Sequence, residues 1–453
     1  MGRACREGFD EIFGSGAVVV TSMRQHRLAG FLLLFGLLAG GPVALAQAPP
    51  APGPLAVDQV VERAVAENPE LRALRADVDA ARGRLRQAAL RPNPMLDLGG
   101  QQNVGGPDNN VNVGLSIPLD LNGRRAGRVG VAEREIDMKQ AQVSDRERRL
   151  SAEVRLKSSE LLAARRNLDF TEELLGTNQK ALGLVRDRVR QGASPALDEN
   201  LVLVEVNRLE ASLSILKSRV EILGLQLKLL AGMPPNEPLS LQGELGPRPF
   251  APDRTQALER ALAERPDVVI ARAEAAMAHA KIRREEAEGR WDARLNLGYQ
   301  RQDFGFSLNG LTDRGGTRPI QDTFHYVGGG VTIMLPVRNR NQGNVAAAMA
   351  EAQGAERKRE AAELIIRQEV AAAFTQLDAA QRALEIYTRG VRDVASRNLG
   401  VVRQAYELGR IPVLDVIAEQ RRFIDIEMGY TDALKLVHDA GIEIQRAVAV
   451  GPR

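Results

Sequence analysis

One short pattern is written twice in this chain, as GASPALD at Gly192–Asp198 and as GRIPVLD at Gly409–Asp415. Both copies run glycine, two residues, proline, two residues, aspartate, and their glycines lie 409 − 192 = 217 positions apart. Asp198 and Asp415 are the chemically interesting members. A carboxylate in the first turn of a helix stabilises the positive end of the macrodipole by a few tenths of a kcal/mol to about 1 kcal/mol. Several carboxylates gathered at a narrow opening would instead attract cations and repel anions. Neither use is catalysis. The four histidines, His26, His279, His325 and His438, are scattered and match no metal-ligand spacing, and the only cysteine is Cys5. Disulfide, thiol and soft-metal chemistry are therefore not expected. The glycine run Gly328–Gly330 precedes an alternating stretch and does not join a strand to a helix, so it is no phosphate loop. Lys+Arg 61 against Asp+Glu 58 gives a formal +3 with both signs interspersed, which leaves no electrostatic footprint for nucleic acid. The expectation is a protein that is not an enzyme and carries no cofactor and no metal site.

The elements that must position the two motifs are themselves duplicated. ERAVAENPELRALRADVDAARGRLRQA at Glu62–Ala88 aligns with ERALAERPDVVIARAEAAMAHAKIRRE at Glu259–Glu285. Alternating stretches follow each copy, LDLGGQ from Leu96 and VNVGLSIPL from Val111, then LNLGYQ from Leu295 and VGGGVTIMLPV from Val327. Long Ala/Leu/Glu/Arg segments come next, with the GxxPxxD motif near their far ends. Each half thus reads helix, strand, strand, very long helix, turn, helix, in a mainly α chain whose repeats are residues 47–242 and 243–453.

Apolar residues recur every seventh position at Val154, Leu161, Leu168, Leu175, Leu182 and Val189, and again at Val202, Leu209, Leu216, Leu223 and Leu230. Ala373, Ala380, Tyr387, Val394, Val401 and Leu408 repeat the spacing in the second half. Sustained sevens mark coiled-coil packing. A helix from Arg124 to Gln191 would be roughly 100 Å long, and helices over Val57–Leu90 and Ala196–Ala231 roughly half that each, so two short helices match one long one end to end. The motif then marks a helical hairpin at the end remote from the strands. Gly192 and Gly409 suit the helix C-cap, and Pro195 and Pro412 suit the first turn of the returning helix.

Residues 1–46 read as a leader. After Met23, taken as the true start, come Arg24, His26 and Arg27, the apolar run LAGFLLLFGLLAG, and Ala44–Ala46. This is the order of a secretory signal peptide, with cleavage after Ala46 and a mature chain starting at Gln47. No cysteine follows the signal, so the exported protein is not lipid-anchored.

The mature chain has no apolar run long enough for a transmembrane helix. Its second strand region nevertheless gathers Trp291, Tyr299, Phe304, Phe306, Phe324 and Tyr326, in a chain where aromatics are only 4%. Aromatics at the ends of alternating strands form the lipid-interface girdles of outer-membrane barrels. Four strands cannot close a barrel, and an open sheet in lipid leaves backbone groups unsatisfied, so several copies must share one barrel.

Signal peptide, duplicated halves and paired hairpin tips together resemble the TolC-like outer-membrane factors, over essentially the whole mature chain. SIPLDLNGRRAGR (Ser116–Arg128) and LPVRNRNQGNVAAAMAEA (Leu335–Ala352) look most like the branch that serves heavy-metal RND-type efflux pumps. The resemblance implies a homotrimer with a shared TolC-like β-barrel in the outer membrane and an α-barrel tunnel through the periplasm. It implies as partners a periplasmic adaptor protein, an inner-membrane RND-type transporter and outer-membrane lipid. The chain would be a passive exit duct for divalent heavy-metal cations, with drug or solvent efflux and type I secretion as alternative cargoes. A periplasmic adaptor or scaffold is the alternative of another class. Asp415 falls where the family places a gate aspartate at the periplasmic mouth, and Asp198 is its counterpart in the first repeat. Ala418 stands where the family has a second gate aspartate, which puts a double acidic ring in doubt; the neighbouring Glu419 would point about 100° away.

Overall fold

The computed structural model describes residues 53–104, 106, 108–246 and 253–448. The leader, with Cys5, Met23 and the expected cleavage after Ala46, lies outside the described residues. The first half runs β1 (Leu55–Ala56), α1 (Val57–Glu67), α2 (Pro69–Ala88), β2 (Met95–Gln102), β3 (Asn109–Pro118), α3 (Arg124–Arg190) and α4 (Ala196–Leu230). The second runs β4 (Leu241–Gln242), α5 (Arg254–Glu264), α6 (Pro266–Glu288), β5 (Asp292–Leu311), β6 (Thr317–Met334), α7 (Gln342–Ile386), a π turn (Tyr387–Val391), α8 (Arg392–Glu407) and α9 (Val413–Ala447). The expected order of helices and strands recurs in both halves. Among the described residues, no helix is long and apolar enough to cross a membrane.

Each half opens with two helices where the periodicity suggests one over Val57–Leu90. Proline lacks an N–H and its ring clashes with the carbonyl four residues back, so the helix stops before Pro69 and before Pro266. At the first break Asn68 caps α2: its Oδ1 accepts the N–H groups of Glu70 (3.0 Å) and Leu71 (3.1 Å). Its Nδ2 donates to the Leu230 carbonyl at the end of α4 (3.0 Å).

At the second break the same position is Arg265, 1% exposed and ion-paired with Asp267 (2.5 Å) and with Glu369 of α7 (2.8 Å). Arg265 also donates to the Ala447 carbonyl (3.3 Å), and Arg148 of α3 to the Arg446 carbonyl (2.7 Å). Two cations therefore hold the negative end of α9. Burial pushes the Asp267 carboxyl up, but the Arg265 guanidinium and the more distant Arg148 more than offset this and hold it below the usual range.

Three buried clusters form the core. Val60, Val61, Leu71, Leu150, Val154, Leu161 and Leu227 join α1–α4. Ala261, Val268, Ile366, Val370, Phe374, Leu377 and Ile444 do the corresponding work for α5, α6, α7 and α9. The third, near the tips, joins the two halves through Leu175, Leu182, Val185, Val202, Val206, Leu209, Val413, Ile417 and Ile424.

The long helices differ. α3 runs unbroken for 67 residues, whereas its counterpart is interrupted by the π turn between α7 and α8. The turn seats Tyr387 on Gly429 of α9, where an added Cβ would lie 2.5 Å from the tyrosine hydroxyl. Just after it, Arg392 pairs with Glu427 (2.5 Å) and lies 5.0 Å from the Tyr430 ring centroid. Arg166 of α3 approaches the same ring at 5.4 Å.

The strands form one antiparallel sheet in the order β2-β3-β5-β6, separate from a short parallel pairing of β1 with β4. Every residue of β6 is exposed, and the outer edges of β2 and β6 have no strand partner among the described residues. Directly paired residues share a face. One face carries Leu96 and Leu98, then Val113 and Leu115, then Leu297 and Tyr299, then Val327 and Val331. The other carries Asp97, Asn112 and Ser116, then Asn296, Gln300 and Gln302, then Thr332. Apolar and polar faces alternate as a membrane barrel requires. The register divides the clustered aromatics between the two faces. Tyr299 lies on the apolar face, but Phe304, Phe306, Phe324 and Tyr326 follow the parity of Gln300 and Gln302 onto the polar one. Trp291 stands just before β5, half-exposed, its carbonyl accepting from Asn122. Clustering in sequence does not mean one face when the side-chain period is two.

Candidate functional site at the paired helical tips

Both GxxPxxD motifs build the same turn. Gly192 has φ 72° and Gly409 φ 70°, in the left-handed region where a side chain is strained. The Gly192 N–H bonds to the Val189 carbonyl (3.0 Å) and the Ala193 N–H to Arg188 (2.8 Å). Gly409 and Arg410 do the same toward Tyr406 (2.9 Å) and Ala405 (2.9 Å). These are paired Schellman bonds that satisfy the last carbonyls of each long helix. Pro195 and Pro412 occupy the N-cap of the returning helix, one step earlier than the first-turn position expected, with ψ 148° and 158°. Their carbonyls accept the N–H groups of Asp198 (3.1 Å) and Asp415 (3.2 Å), which places both aspartates in the first helical turn.

The equivalence ends at the side chains. Asp415 is exposed beside Leu414, whereas Asp198 is half-buried toward the other hairpin. Burial and the Asp198 carboxylate push the Tyr406 phenol up, against the opposing influence of Arg188, whose guanidinium lies 5.9 Å from the Tyr406 ring centroid. Ala418 is exposed one turn beyond Asp415, on the same side. Glu419 is buried and paired with Arg422 (2.7 Å), so it cannot replace a second exposed carboxylate there.

A deeper ionic contact fastens the hairpins together. Glu205 of α4, 1% exposed, bonds to Arg208 of its own helix (2.6 Å) and to Arg421 of α9 (2.8 Å). Burial pushes its carboxyl up, but the hydrogen bonds from the two arginines more than offset this and hold it below the usual range. The sequence reading passed over Glu205, Arg421, Tyr406 and Arg188. A signal for Glu205 existed: it is an acid between Val202 and Leu209 on a buried apolar seam, where charge survives only if paired. Among the described residues, no group of three or more His, Cys, Asp or Glu is placed to hold a metal ion. His279 instead lies 3.5 Å from Glu356, and His325 bonds to Tyr299.

Known proteins share this arrangement. The family model described as outer membrane efflux protein matches residues 60–232 and 257–450. The chain is 24% identical over 396 residues to the cobalt-zinc-cadmium resistance protein CzcC of Cupriavidus metallidurans, covering 87% of this chain and 90% of that protein. Its fold matches the CusC transmembrane channel with a TM-score of 0.69 at 18% identity, over 86% of this chain and 91% of that one. The outer membrane protein VceC of Vibrio cholerae matches at 0.70 and 18% identity, over 88% and 97%.

Proposed function

The chain belongs to the outer membrane efflux protein family, and from that premise we propose that it acts as a homotrimer, a passive exit duct that extends from the outer membrane into the periplasm. One observation carries the assembly: a four-stranded sheet whose last strand is exposed along its whole length and whose two edges have no strand partner among the described residues. Such a sheet satisfies its backbone in lipid only by joining further copies into a closed barrel. The helices support the same reading. Ile215, Ile222 and Leu229 of α4 are 51–74% exposed at seven-residue spacing, and Val394 and Val401 of α8 with Leu408 just past its end are 44–68% exposed at the same spacing. Exposed sevens are half of a coiled-coil seam that lacks its partner.

Within the pump, the duct receives cargo through a periplasmic adaptor from an inner-membrane RND-type transporter and catalyses no reaction. The cargo is divalent heavy-metal cations. Two things support this, the sequence around Arg338–Asn344 and the resistance named in the relative CzcC. At the periplasmic mouth, three copies of Asp415 ring the opening, while Asp198 serves the contact between hairpins.

Two measurements test the reading. In detergent the protein is expected to size as a trimer, and a stable monomer with full β-content would sink the duct. In a host stripped of redundant pumps, deletion is expected to lower tolerance to zinc, cobalt or cadmium more than to lipophilic drugs. A drug phenotype with unchanged metal tolerance would move the cargo to drug or solvent efflux.

A further inference from the structure

Along the β5–β6 hairpin the apolar side of the sheet changes over. Up to Tyr299 the apolar face holds Leu295, Leu297, Val327 and Val331, and the opposite face is polar, linked by Ser116–Asn296 (2.9 Å) and Asn296–Thr332 (2.7 Å) hydrogen bonds. Beyond Tyr299 the first face becomes polar on β5 and β6, with Val111 of β3 the apolar neighbour of Arg301. Tyr299 Oη meets His325 Nδ1 at 2.8 Å, Arg301 pairs with Asp303 (3.1 Å), and Thr323 Oγ1 donates to Asp303 (2.7 Å). On the second face the change runs the other way, to Tyr326, Phe324, Phe304, Ile320 and Phe306, each 38–51% exposed. Tyr299, an amphipathic ring, thus stands where the apolar face gives way to the Arg301–Asp303 pair. Just there the face that is polar lower down turns aromatic.

The aromatic face stands on the least-paired part of the sheet. Pairing of β3 with β5 stops at Asn109↔Asp303, so Phe304 and Phe306 stand on a two-stranded ribbon. A register shift between Phe306 and Asn309 bends and twists the ribbon further. Phe304 and Phe324 already touch edge to face, with centroids 5.9 Å apart, but much of their surface remains open to water.

Resting on the trimeric duct proposed above, we infer that the three β5–β6 hairpins lean together across the outer mouth of the lumen and cover one another's aromatic faces. The occupant of each aromatic face is the same face of the other two copies. Two observations select this occupant: the aromatic surface continues the polar, lumen-side face, and the lipid-side face at this level is charged. The product is a hydrophobic constriction that excludes water and large external solutes, and it parts when cargo arrives from below.

The test labels a thiol beneath the constriction from outside intact cells. The full chain carries Cys5→Ser and Gln300→Cys, and the probe is a maleimide bearing a polyethylene glycol chain. Adding Phe304→Ser, Phe306→Ser and Phe324→Ser is expected to speed labelling by about tenfold, whereas leucine at the same three positions keeps it slow. Phe324→Ser alone, the fallback if the triple variant fails to reach the outer membrane, is expected to give a smaller rise. Equal rates in the parent and the serine variants, with the protein still a trimer in detergent, would overturn the constriction alone. A monomer in detergent would overturn the duct and the constriction together.

Discussion

The two halves of this chain share a plan and divide the labour. In the first, the strands are 8 and 10 residues long, the long helix is unbroken, and the tip aspartate is tucked against the neighbouring hairpin. In the second, the strands are 20 and 18 residues long, the helix carries a π turn, and the tip aspartate stands in solvent. Duplication supplied a frame; the departures from it gather in the second copy, at both ends of the duct. The halves are also complementary in charge. Counting 217 positions on from Glu205 and Arg208 gives Arg422 and Asp425 (205 + 217 = 422; 208 + 217 = 425), so the signs are reversed. Opposite signs do meet between α4 and α9, with Arg208 drawn to Asp425 and Glu205 paired to Arg421, the neighbour of the counted Arg422, which pairs with Glu419 of its own helix.

The equivalent helix breaks offer the sharpest way to test this asymmetry. Arg265→Ala strands Asp267 and Glu369 and frees the end of α9, and is expected to cost about 3–5 kcal/mol. Asn68→Ala loses a cap and is expected to cost about 1 kcal/mol, or up to about 2. Thermal unfolding of both variants in detergent decides, and equal losses would mean that the breaks are interchangeable. Because the folded Asp267 carboxyl sits below its usual range, its contribution is present at neutral pH. It is lost as pH falls through the folded value, so the Arg265→Ala deficit is expected to shrink in acid.

Next in size is the contact between hairpins. Glu205→Ala is expected to cost about 2–3 kcal/mol, less than a fully enclosed pair because Arg208 and Arg421 are about half exposed. A Glu205→Arg, Arg421→Glu exchange is expected to recover part of that loss if opposite signs matter as argued. No recovery would mean that packing alone sets the register. Here too the carboxyl is held below its usual range, so the wild-type advantage over Glu205→Gln is present above the ordinary glutamate range and is expected to fade as pH falls through the lowered folded value.

A smaller contrast concerns the π turn. Gly429→Ala drives a methyl into Tyr387 and is expected to destabilise by about 1–2 kcal/mol. Gly176→Ala in the unbroken α3 has open space around it and is expected to stabilise by up to about 1 kcal/mol. Melting temperatures moving the same way in both would erase the distinction between the long helices.

The tip aspartates come last in stability and first in conduction. Asp415→Asn and Asp198→Asn are each expected to change stability by at most about 1 kcal/mol. In planar bilayers, Asp415→Asn is expected to relieve block by multivalent cations strongly and Asp198→Asn weakly. Equal relief would show that both rings face the opening.

Much of the frame was legible before any coordinates because it depends on periodicity and punctuation. The sevens from Val154 to Val189 gave the hairpin, and Gly192, Pro195, Gly409 and Pro412 gave its tips. The breaks before Pro69 and Pro266 were also signalled, by proline chemistry that a strong helical period masked. The π turn was not, since Tyr387–Val391 continues the apolar spacing and its cause lies in α9, at Gly429 and Glu427. The division of the aromatics between two faces needed the register, which sequence clustering does not contain. The Glu205 contact needed both hairpins at once.

The position of the π turn has a mechanical consequence. From Val391 to Leu408 is 17 residues, so the part of the second long helix beyond the turn is about 26 Å long against roughly 100 Å for the whole of α3. A π turn is a place where a helix bends sharply. A swing of about 10° there would displace the tip by about 5 Å, and the shared tip cluster and the Glu205–Arg421 pair would carry α9 and the first hairpin with it. Short leverage of this kind would make the aperture a fine adjustment, and in the proposed trimer three tips moving together would alter its diameter by about twice the travel of one.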